Sequence, residues 1–286
     1  MPENFSTKLE RAFSTFGQLC VGIDPHASLL IENGLDDSLE GLDRFSRTVL
    51  EHACGLVGII KYQVSFYERF GPEGLMVLQQ QLRLAKDAGL LVIADAKRGD
   101  IGSTMEAYSE AWLGKDAAFL CDALTVSSYL GVGALEPAMS AAVERGKGLF
   151  VLCATSNPEA RLIQQSRNQS VTVSGQVAAE VERYNKLTSQ SNSKFGSIGL
   201  VVGATIDLQS QGLESLNSQS KTLRSPILAP GFGAQGVHLS QAKAIFPATH
   251  SDTIFSISRS VLRDGLSAVR NSIKHDSVEL AQALER

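Results

Sequence analysis

The chain has 286 residues, of which 20% are charged and 43% hydrophobic, so it can bury a substantial core and has a globular rather than a disordered or fibrous composition. A formal net charge of −4 gives no basic surface of the kind that binds nucleic acid, and a small anionic ligand would need local positive groups. No apolar run approaches the ~20 residues that span a bilayer, and the first residues, MPENFSTKLERAF, lack the basic start and apolar core of a signal peptide. We therefore expect neither a nucleic-acid partner nor membrane association.

The cysteines and histidines give no pattern of a metal site. Cys20, Cys54, Cys121 and Cys153 are widely spaced, and the five histidines form no H-x-H or H-E-x-x-H pair. Three of the cysteines lie in apolar runs, where cysteine usually acts as a small buried hydrophobe, and reduced thiols fit a cytoplasmic location. A Walker A motif and an early G-x-G-x-x-G are also missing from the sequence, so a nucleotide cofactor gains no support.

Eight apolar runs with strand character follow one another, separated by segments of helical pattern. They are LCVGID (19–24), VGIIKYQ (57–63), LVIADAK (91–97), AAFLCDALTV (117–126), GLFVLCATS (148–156), IGLVVGAT (198–205), SPILAPGFG (225–233) and TIFSISRS (253–260). Successive runs start 26 to 50 residues apart, which suits one strand, one helix and two short loops. Their continuous apolar character indicates strands that are buried on both faces, as in a parallel sheet covered by helices.

Eight such units predict an α/β fold, a (β/α)8 (TIM) barrel, as a single domain over residues 1–286. An open, doubly wound sheet is the alternative, because the spacing of the runs cannot show that the sheet closes. Helical patterns are predicted at residues 75–86, 240–245, 262–273 and 277–286. The one long gap, near 157–196, is predicted to be an elaborated loop around a helix at 176–187 rather than a second domain.

The third run ends in Asp95 and Lys97, and Asp100 follows three positions later, which is an unusual concentration of charge for a buried strand. Because side chains alternate along a strand, Asp95 and Lys97 point to the same side, one pleat apart. A strand-end salt bridge is the ordinary explanation for a single pair of this kind. The third charge, together with a second lysine at Lys61, favours a chemical role.

Polar residues follow several of the predicted strands. In a TIM barrel the catalytic and binding side chains lie at the C-terminal ends of the strands. These residues are Asp24, Lys61, Asp95, Lys97, Ser156, the APGFGAQG segment (229–236) and Arg259. Glycine N–H groups in 229–236 can approach an anion closely, and Arg259 adds a bidentate donor from the neighbouring strand. The loops after strands seven and eight are the usual phosphate position in this architecture, so we expect an anionic group there.

The segment DAKRGDIGST (95–104) resembles the D-x-K-x-x-D-I-x-x-T signature of the orotidine 5′-phosphate decarboxylase family. The likeness continues in family order through VGIDPH, KYQVSFYERFG, LTVSSYLG, LCATSNP, APGFGAQG and the closing arginine. The long insert and the sequence K-R-G-D-I-G (97–102) resemble those of the second, longer bacterial branch of the family (type 2). The resemblance implies a TIM barrel that converts orotidine 5′-phosphate to uridine 5′-phosphate (UMP), the last step of de novo pyrimidine biosynthesis, as a cytoplasmic homodimer without cofactor or metal.

The resemblance also implies a role for each matching residue. Lys61, Asp95, Lys97 and Asp100 would form a charged tetrad, with Lys97 as the proton donor and Asp100 reaching into the neighbouring subunit's site. The substrate would be bound by Asp24 and Lys61 at the ribose, by Ile101 and Thr104 from the neighbouring subunit, by Ser156 at the pyrimidine, and by Gln235, Arg259 and the backbone N–H near Gly233 at the phosphate. Thr155 adjoins Ser156, so the pyrimidine contact stays open between the two, and Ser258 stands where the family often has glycine.

Two other functions remain open. Sugar-phosphate decarboxylases and aldolases of the same suprafamily, such as 3-keto-gulonate 6-phosphate decarboxylase, share D-x-K-x-x-D but typically have alanine after the second Asp and a Mg²⁺-binding carboxylate on the second strand. Here Ile101 follows Asp100 and Lys61 lies on the second strand, which disfavours a metal site. A non-catalytic phosphosugar-binding barrel is the other possibility, but a binding module has no need of a proton donor between two carboxylates.

Overall fold

Strands and helices alternate along the chain in the computed structural model, which describes residues 3–188, 193–217, 223–233 and 236–285. The strands are β1 (Leu19–Ile23), β2 (Ile59–Gln63), β3 (Leu91–Arg98), β4 (Ala123–Val126), β5 (Gly148–Ala154), β6 (Arg167–Asn168), β7 (Val171–Thr172), β8 (Ile198–Val202), β9 (Ile227–Pro230) and β10 (Thr253–Ile257). The α-helices are α1 (Phe5–Phe16), α2 (Ala27–Glu32), α3 (Leu39–Ala53), α4 (Ser65–Glu68), α5 (Gly71–Asp87), α6 (Gly102–Leu113), α7 (Glu136–Glu144), α8 (Arg161–Gln164), α9 (Val173–Thr188), α10 (Ala242–Ile245) and α11 (Val269–Glu285).

All of these strands except β6 and β7 form one closed parallel barrel. Neighbours follow chain order, and the sheet closes where β10 pairs with β1, with Leu19 opposite Phe255 and Val21 opposite Ile257. Each of the eight predicted runs coincides with one strand of the barrel, and β3 extends one residue beyond its run. The predicted (β/α)8 fold is therefore confirmed, and the open-sheet alternative is wrong.

Alternating side chains along each strand divide the core into two layers. Val21, Ile60 and Val92 point outwards and pack against the helices, where buried Leu, Val and Ile side chains form the larger cluster. Ile59 and Ile93 point inwards and fill the barrel with a second cluster. Because the period of a strand is two, the polar residues that follow at the C-terminal ends of the inward rows face the barrel axis.

Helix α1 covers the N-terminal end of the barrel and was not predicted from the sequence. Phe5, Leu9 and Ala12 lie on one face of this helix and belong to the interior cluster. The ring of Phe5 meets the ring of Phe150 edge-on, with 6.0 Å between centroids. Since α1 closes this end, ligand access falls to the opposite end, where the strands terminate.

The helical predictions are confirmed in part. Helices α5 and α9 contain the predicted segments 75–86 and 176–187, and α10 occupies the second half of 240–245. The closing helix predicted at 277–286 is confirmed over the described residues 277–285, which form the second half of α11. Of the segment predicted at 262–273, only the residues from Val269 onwards are α-helical, and they belong to the same helix α11. Gly265 stands before it in a left-handed conformation, with φ of 83°, which interrupts any helix that starts earlier.

Residues 157–196 carry α8, the small antiparallel hairpin β6–β7 and the whole of α9. The side chain of Gln164 accepts the Thr155 N–H at 2.9 Å, which ties α8 to the end of β5. On α9, the Asn185 side chain donates to the Ile198 carbonyl oxygen at 2.7 Å and accepts the Ile198 N–H at 3.1 Å. The insert is thus attached to the barrel at both of its ends.

Within the described part of the chain, no helix combines the length and the apolar composition needed to cross a membrane.

Candidate active site

A cavity of about 290 Å³ opens at the C-terminal ends of the strands. Its lining includes the predicted residues Asp24, Lys61, Asp95, Lys97, Ser156 and Arg259. The first four come from β1, β2 and β3 or the residues just after them, whereas Arg259 follows β10. The cavity therefore joins a cluster of opposite charges to a separate arginine.

Lys61 is buried between two carboxylates. Its Nζ lies 3.1 Å from Asp95 Oδ2 and 3.6 Å from Asp24 Oδ1, and only 5% of the residue is exposed. Burial acts to lower the pKa of Lys61, but the two carboxylates outweigh it and raise that pKa above its usual value. Lys61 is consequently a fixed positive charge at neutral pH.

Asp95 connects the two lysines of the cavity. Its Oδ1 accepts hydrogen bonds from Lys97 Nζ at 2.6 Å and from Thr125 Oγ1 at 2.8 Å, while its Oδ2 faces Lys61. Burial acts to raise the pKa of Asp95, yet Lys61, Lys97 and these hydrogen bonds together lower it to about 2. The cavity thus holds an alternating row of charges, positive, negative and positive.

Lys97 has a left-handed backbone, with φ of 50°, which side-chain-bearing residues rarely adopt. The register between β3 and β4 shifts at this point, because Ala94 pairs with Leu124 whereas Arg98 pairs with Val126. Three residues of β3 therefore stand opposite one residue of β4. This shift interrupts the regular alternation of side chains along β3, on which the predicted contact between Lys97 and Asp95 was based. The contact itself is present, and the side chain, 44% exposed, borders the cavity.

The predicted residues Asp100, Ile101 and Thr104 lie outside the cavity of their own chain. Asp100 accepts the Ile101 N–H through Oδ1 at 2.8 Å, immediately before α6. Ile101 is 62% exposed, and Thr104 is exposed on the first turn of that helix. One chain therefore brings together three members of the predicted tetrad and leaves Asp100 at the surface.

The predicted phosphate region is only partly as expected. Arg259 is exposed at the rim of the cavity, and Gly231 also lines it. The N–H of Gly233 itself donates to the Val237 carbonyl oxygen at 2.7 Å, so a phosphate contact from a backbone N–H near Gly233 stays a prediction. Gln235 lies outside the described residues.

Thr155 and Ser156 both line the cavity after β5. The Thr155 hydroxyl donates to Asn157 Oδ1 at 2.8 Å and accepts from Gln164 Nε2 at 2.9 Å. Since the Thr155 hydroxyl already has two partners in the insert, Ser156 is the better placed of the two for contact with a ligand.

Sequence reasoning missed several polar residues of the cavity, among them Gln63 and Thr125. Gln63 ends β2, and its Oε1 accepts from Lys97 Nζ at 3.3 Å. Thr125 lies on β4 and contacts both Asp95 and Lys97. Their position near the ends of predicted strands was the available signal, but both are uncharged and neither interrupts its apolar run.

Away from the cavity, His275, Asp276 and Glu279 of α11 place potential metal-ligand atoms within 4.8 Å of one another. The guanidinium of Arg263 already pairs with Asp276 at 2.6 Å, and Glu279 accepts the Ser240 N–H at 3.0 Å. These contacts engage one oxygen of each carboxylate, Asp276 Oδ1 and Glu279 Oε1.

The barrel and its charged cavity define a class: TIM-barrel enzymes that act on a small anionic molecule at the C-terminal ends of the strands. The sequence model of the Orotidine 5′-phosphate decarboxylase / HUMPS family matches residues 17–270. The chain belongs to this family, and the resemblance noted in the sequence is confirmed.

Individual relatives match almost the whole chain. The orotidine 5′-phosphate decarboxylase of Streptomyces coelicolor is 45% identical and is covered to 99%, as is this chain. A crystal structure assigned to the same enzyme from Streptomyces avermitilis has a TM-score of 0.90 and 43% identity, covering 99% of this chain and 97% of that chain. Leishmania donovani OMP decarboxylase has a TM-score of 0.77 and 27% identity, with 99% of each chain covered.

Proposed function

We propose that this protein converts orotidine 5′-phosphate to UMP, the last step of de novo pyrimidine biosynthesis. The observation that carries the proposal is the row Lys61, Asp95 and Lys97 at a cavity that also contains Arg259. Relatives that match nearly the full length of the chain carry the name of this enzyme.

The chemistry suits a protein that supplies fixed charge. When the bond between C6 and the carboxylate carbon breaks, CO₂ leaves and the electron pair stays on C6 in the plane of the ring, where no carbonyl group can delocalise it. Preorganised positive charge next to C6 is the remaining way to stabilise this carbanion. Lys97 provides that charge, donates its proton from Nζ to C6, and then regains a proton from water. Asp95 holds Lys97 and Lys61 in place and keeps Lys61 charged.

The remaining contacts are assigned by their place in the cavity. Asp24 and Lys61 bind the ribose hydroxyls, Ser156 contacts the pyrimidine, and Arg259 with Gln235 holds the phosphate. The phosphate is remote from C6, so its binding energy can be used to close the site around the reacting carbon. We propose that neither a metal nor a cofactor takes part, because proton transfer from Lys97 completes the reaction.

A homodimer completes the site in this proposal, with Asp100, Ile101 and Thr104 of one subunit entering the cavity of the other. Asp100 lies outside its own cavity, and Ile101 beside it is 62% exposed. Tyr129 and Leu130, on the loop after β4, are 77% and 54% exposed. Large apolar side chains exposed on neighbouring loops are typical of an interface.

The family also contains sugar-phosphate decarboxylases, which the resemblance associates with a Mg²⁺-binding carboxylate on the second strand. In this chain the position on β2 is held by Lys61, a buried cation 3.1 Å from Asp95. A cation at this point repels a metal ion, so the orotidine 5′-phosphate reaction is favoured. A cytoplasmic location is part of the same proposal, and the four free cysteines support it.

The test is an absorbance assay of orotidine 5′-phosphate loss by the purified full-length protein in the presence of a chelator. We expect rapid conversion to UMP by the wild type and loss of nearly all of that rate in Lys97→Ala. Lys186→Ala is the matched control, since Lys186 is 65% exposed on α9 and pairs across one helical turn with Glu182. No turnover by the wild type would overturn the proposed function, and full activity in Lys97→Ala would overturn the role of that lysine.

A further inference from the structure

Thr125 occupies the one β4 position opposite the register shift in β3. Between the pairs Ala94 with Leu124 and Arg98 with Val126, β3 has three residues and β4 has only Thr125. The N–H of Lys97 consequently donates to the hydroxyl oxygen of Thr125 at 3.0 Å instead of a strand carbonyl.

The same hydroxyl makes a second hydrogen bond, to Asp95 Oδ1 at 2.8 Å. The directions of the two bonds are fixed, because a backbone N–H can only donate and an ionised carboxylate can only accept. The Thr125 hydroxyl therefore accepts from Lys97 and donates to Asp95. Thr125 is 1% exposed, so water is not available to replace either bond freely.

We propose that Thr125 is a positioning residue for Lys97, which it directs towards the cavity by holding both the left-handed backbone of Lys97 and the carboxylate that pairs with its Nζ. The inference rests on the proposed decarboxylation and adds a residue that neither the sequence signature nor the charge row contains. Its physical basis is that a left-handed lysine persists only where surrounding contacts hold it. Thr125 acts on the backbone of Lys97 and on the carboxylate of Asp95 together.

The inference predicts a loss of rate rather than a loss of binding. Without the hydroxyl, the Lys97 N–H lacks its partner and the Asp95 carboxylate can rotate, so Nζ is displaced from the reacting carbon. A displacement of about 1 Å can lower a rate by about 10²-fold. Ligand contacts at Arg259 and Ser156 lie on other strands and are unaffected.

The experiment compares the wild type with Thr125→Val, Thr125→Ser and Thr125→Cys. Valine keeps the shape of threonine but cannot hydrogen-bond, serine keeps the hydroxyl and loses the methyl group, and cysteine offers only a weak donor and acceptor. For each protein, kcat and KM are measured with orotidine 5′-phosphate, the Kd is measured for UMP, and folding is followed by thermal unfolding.

We expect kcat to fall about 10²-fold in Thr125→Val, with KM and the Kd of UMP within about threefold of the wild type. Thr125→Ser should stay within about fivefold of the wild-type kcat, with Thr125→Cys between the two. If Thr125→Val is too unstable to purify, the same comparison is made between the serine and cysteine variants, which are matched in size.

Three results would overturn the inference. The first is a Thr125→Val or Thr125→Cys enzyme with the kcat of Thr125→Ser. The second is a Thr125→Ser enzyme as slow as Thr125→Val, which would assign the effect to packing of the methyl group. The third is a loss of UMP binding in parallel with kcat, as a general structural defect would give. An inactive wild type is a separate outcome, which would remove the proposed function first and this inference with it.

Discussion

Asp95 and Asp122 are buried at opposite ends of the barrel, and each of them forms ion pairs with two lysines. Asp122 stands just before β4, and its Oδ1 lies 2.8 Å from Lys8 and 2.6 Å from Lys86. Its Oδ2 accepts the Val92 N–H at 2.9 Å. Because Lys8 belongs to α1 and Lys86 to α5, Asp122 ties two helices to the start of β3. At the Asp122 end this arrangement of charges stabilises the fold, whereas at the Asp95 end it borders the cavity that contains Arg259.

We expect Asp122→Ala to lower the free energy of unfolding at pH 7 by about 3 kcal/mol, the lower end of the cost of breaking a buried ion pair. The lower end applies because Lys8 and Lys86 are 24% and 29% exposed and can partly recover contact with water. The kcat of the folded variant should be unchanged, since Asp122 lies at the end of the barrel remote from the cavity. Urea-induced unfolding measures the first quantity and the absorbance assay the second.

The contribution of Asp122 to the free energy of unfolding should be lost at acidic pH. Burial acts to raise the pKa of Asp122, but Lys86 and Lys8 outweigh it and lower that pKa. A carboxylate with a lowered pKa in the folded state stabilises fully above its unfolded-state pKa of about 3.9 and loses this effect as the pH falls through the folded-state value. The difference in the free energy of unfolding between wild type and Asp122→Ala should therefore be constant from about pH 7 to 5 and become smaller below about pH 4. A difference that widens in acid, or one no larger than that of the exposed control Lys186→Ala, would contradict the assignment.

At the scale of elements, the strands were the most predictable part of the chain. A strand buried on both faces requires a continuous apolar run, and such runs at 57–63 and 198–205 mark β2 and β8 closely. The run at 117–126 overstated its strand, because β4 is confined to Ala123–Val126. Apolar composition cannot separate a short strand from a buried approach to it.

The local details of the site were less accessible to sequence reasoning. The register shift that places Lys97 in a left-handed conformation depends on how β4 pairs with β3. The residue types at 95–98 do not predict this shift. Helix α1 was also missed, although its apolar residues at 5, 9 and 12 have helical spacing. Its partner is the interior of a barrel assembled from distant strands, which a local pattern does not show.

The contact of α1 with the barrel gives a prediction at Gly148, the first residue of β5. A Cβ on Gly148 would lie 2.6 Å from the ring of Phe5, which is 1% exposed and has no free space to move. We expect Gly148→Ala to lower the free energy of unfolding by about 1–3 kcal/mol, because the added methyl group overpacks this contact. Urea-induced unfolding is the measurement.

The matched control is Gly133→Ala, where an added Cβ would meet nothing within 4 Å. This variant should be neutral or slightly more stable than the wild type. Combining Gly148→Ala with Phe5→Leu should cost less than the sum of the two single changes, since the smaller side chain relieves the overlap. Strict additivity in this double-mutant cycle would show that Gly148 and Phe5 do not determine how α1 packs.

At the scale of the whole molecule, the two ends of the barrel have different tasks. Helix α1 and the Asp122 ion pairs close the N-terminal end, while the C-terminal end carries the charge row and the cavity. Asp100 follows the same strand as Lys97 but does not line this cavity. If Asp100 is needed for catalysis, as we propose, a single chain is incomplete and the active unit is a pair of subunits.

Mixing two inactive variants tests this pairing directly. In Lys61→Ala the cavity loses its buried lysine, and in Asp100→Ala it loses the carboxylate that the neighbouring subunit supplies, so each homodimer should be inactive. In a two-fold symmetric dimer of one variant with the other, one site carries both changes and the other carries neither. After complete exchange of equal amounts, half of the dimers are mixed, so about a quarter of all sites and of the wild-type activity should return.

Mixing Lys61→Ala with Lys97→Ala is the control, because both residues belong to the same cavity and no mixed dimer restores a complete site. Recovery in this control, or its absence from the first mixture once subunit exchange has been demonstrated, would exclude a site shared between subunits.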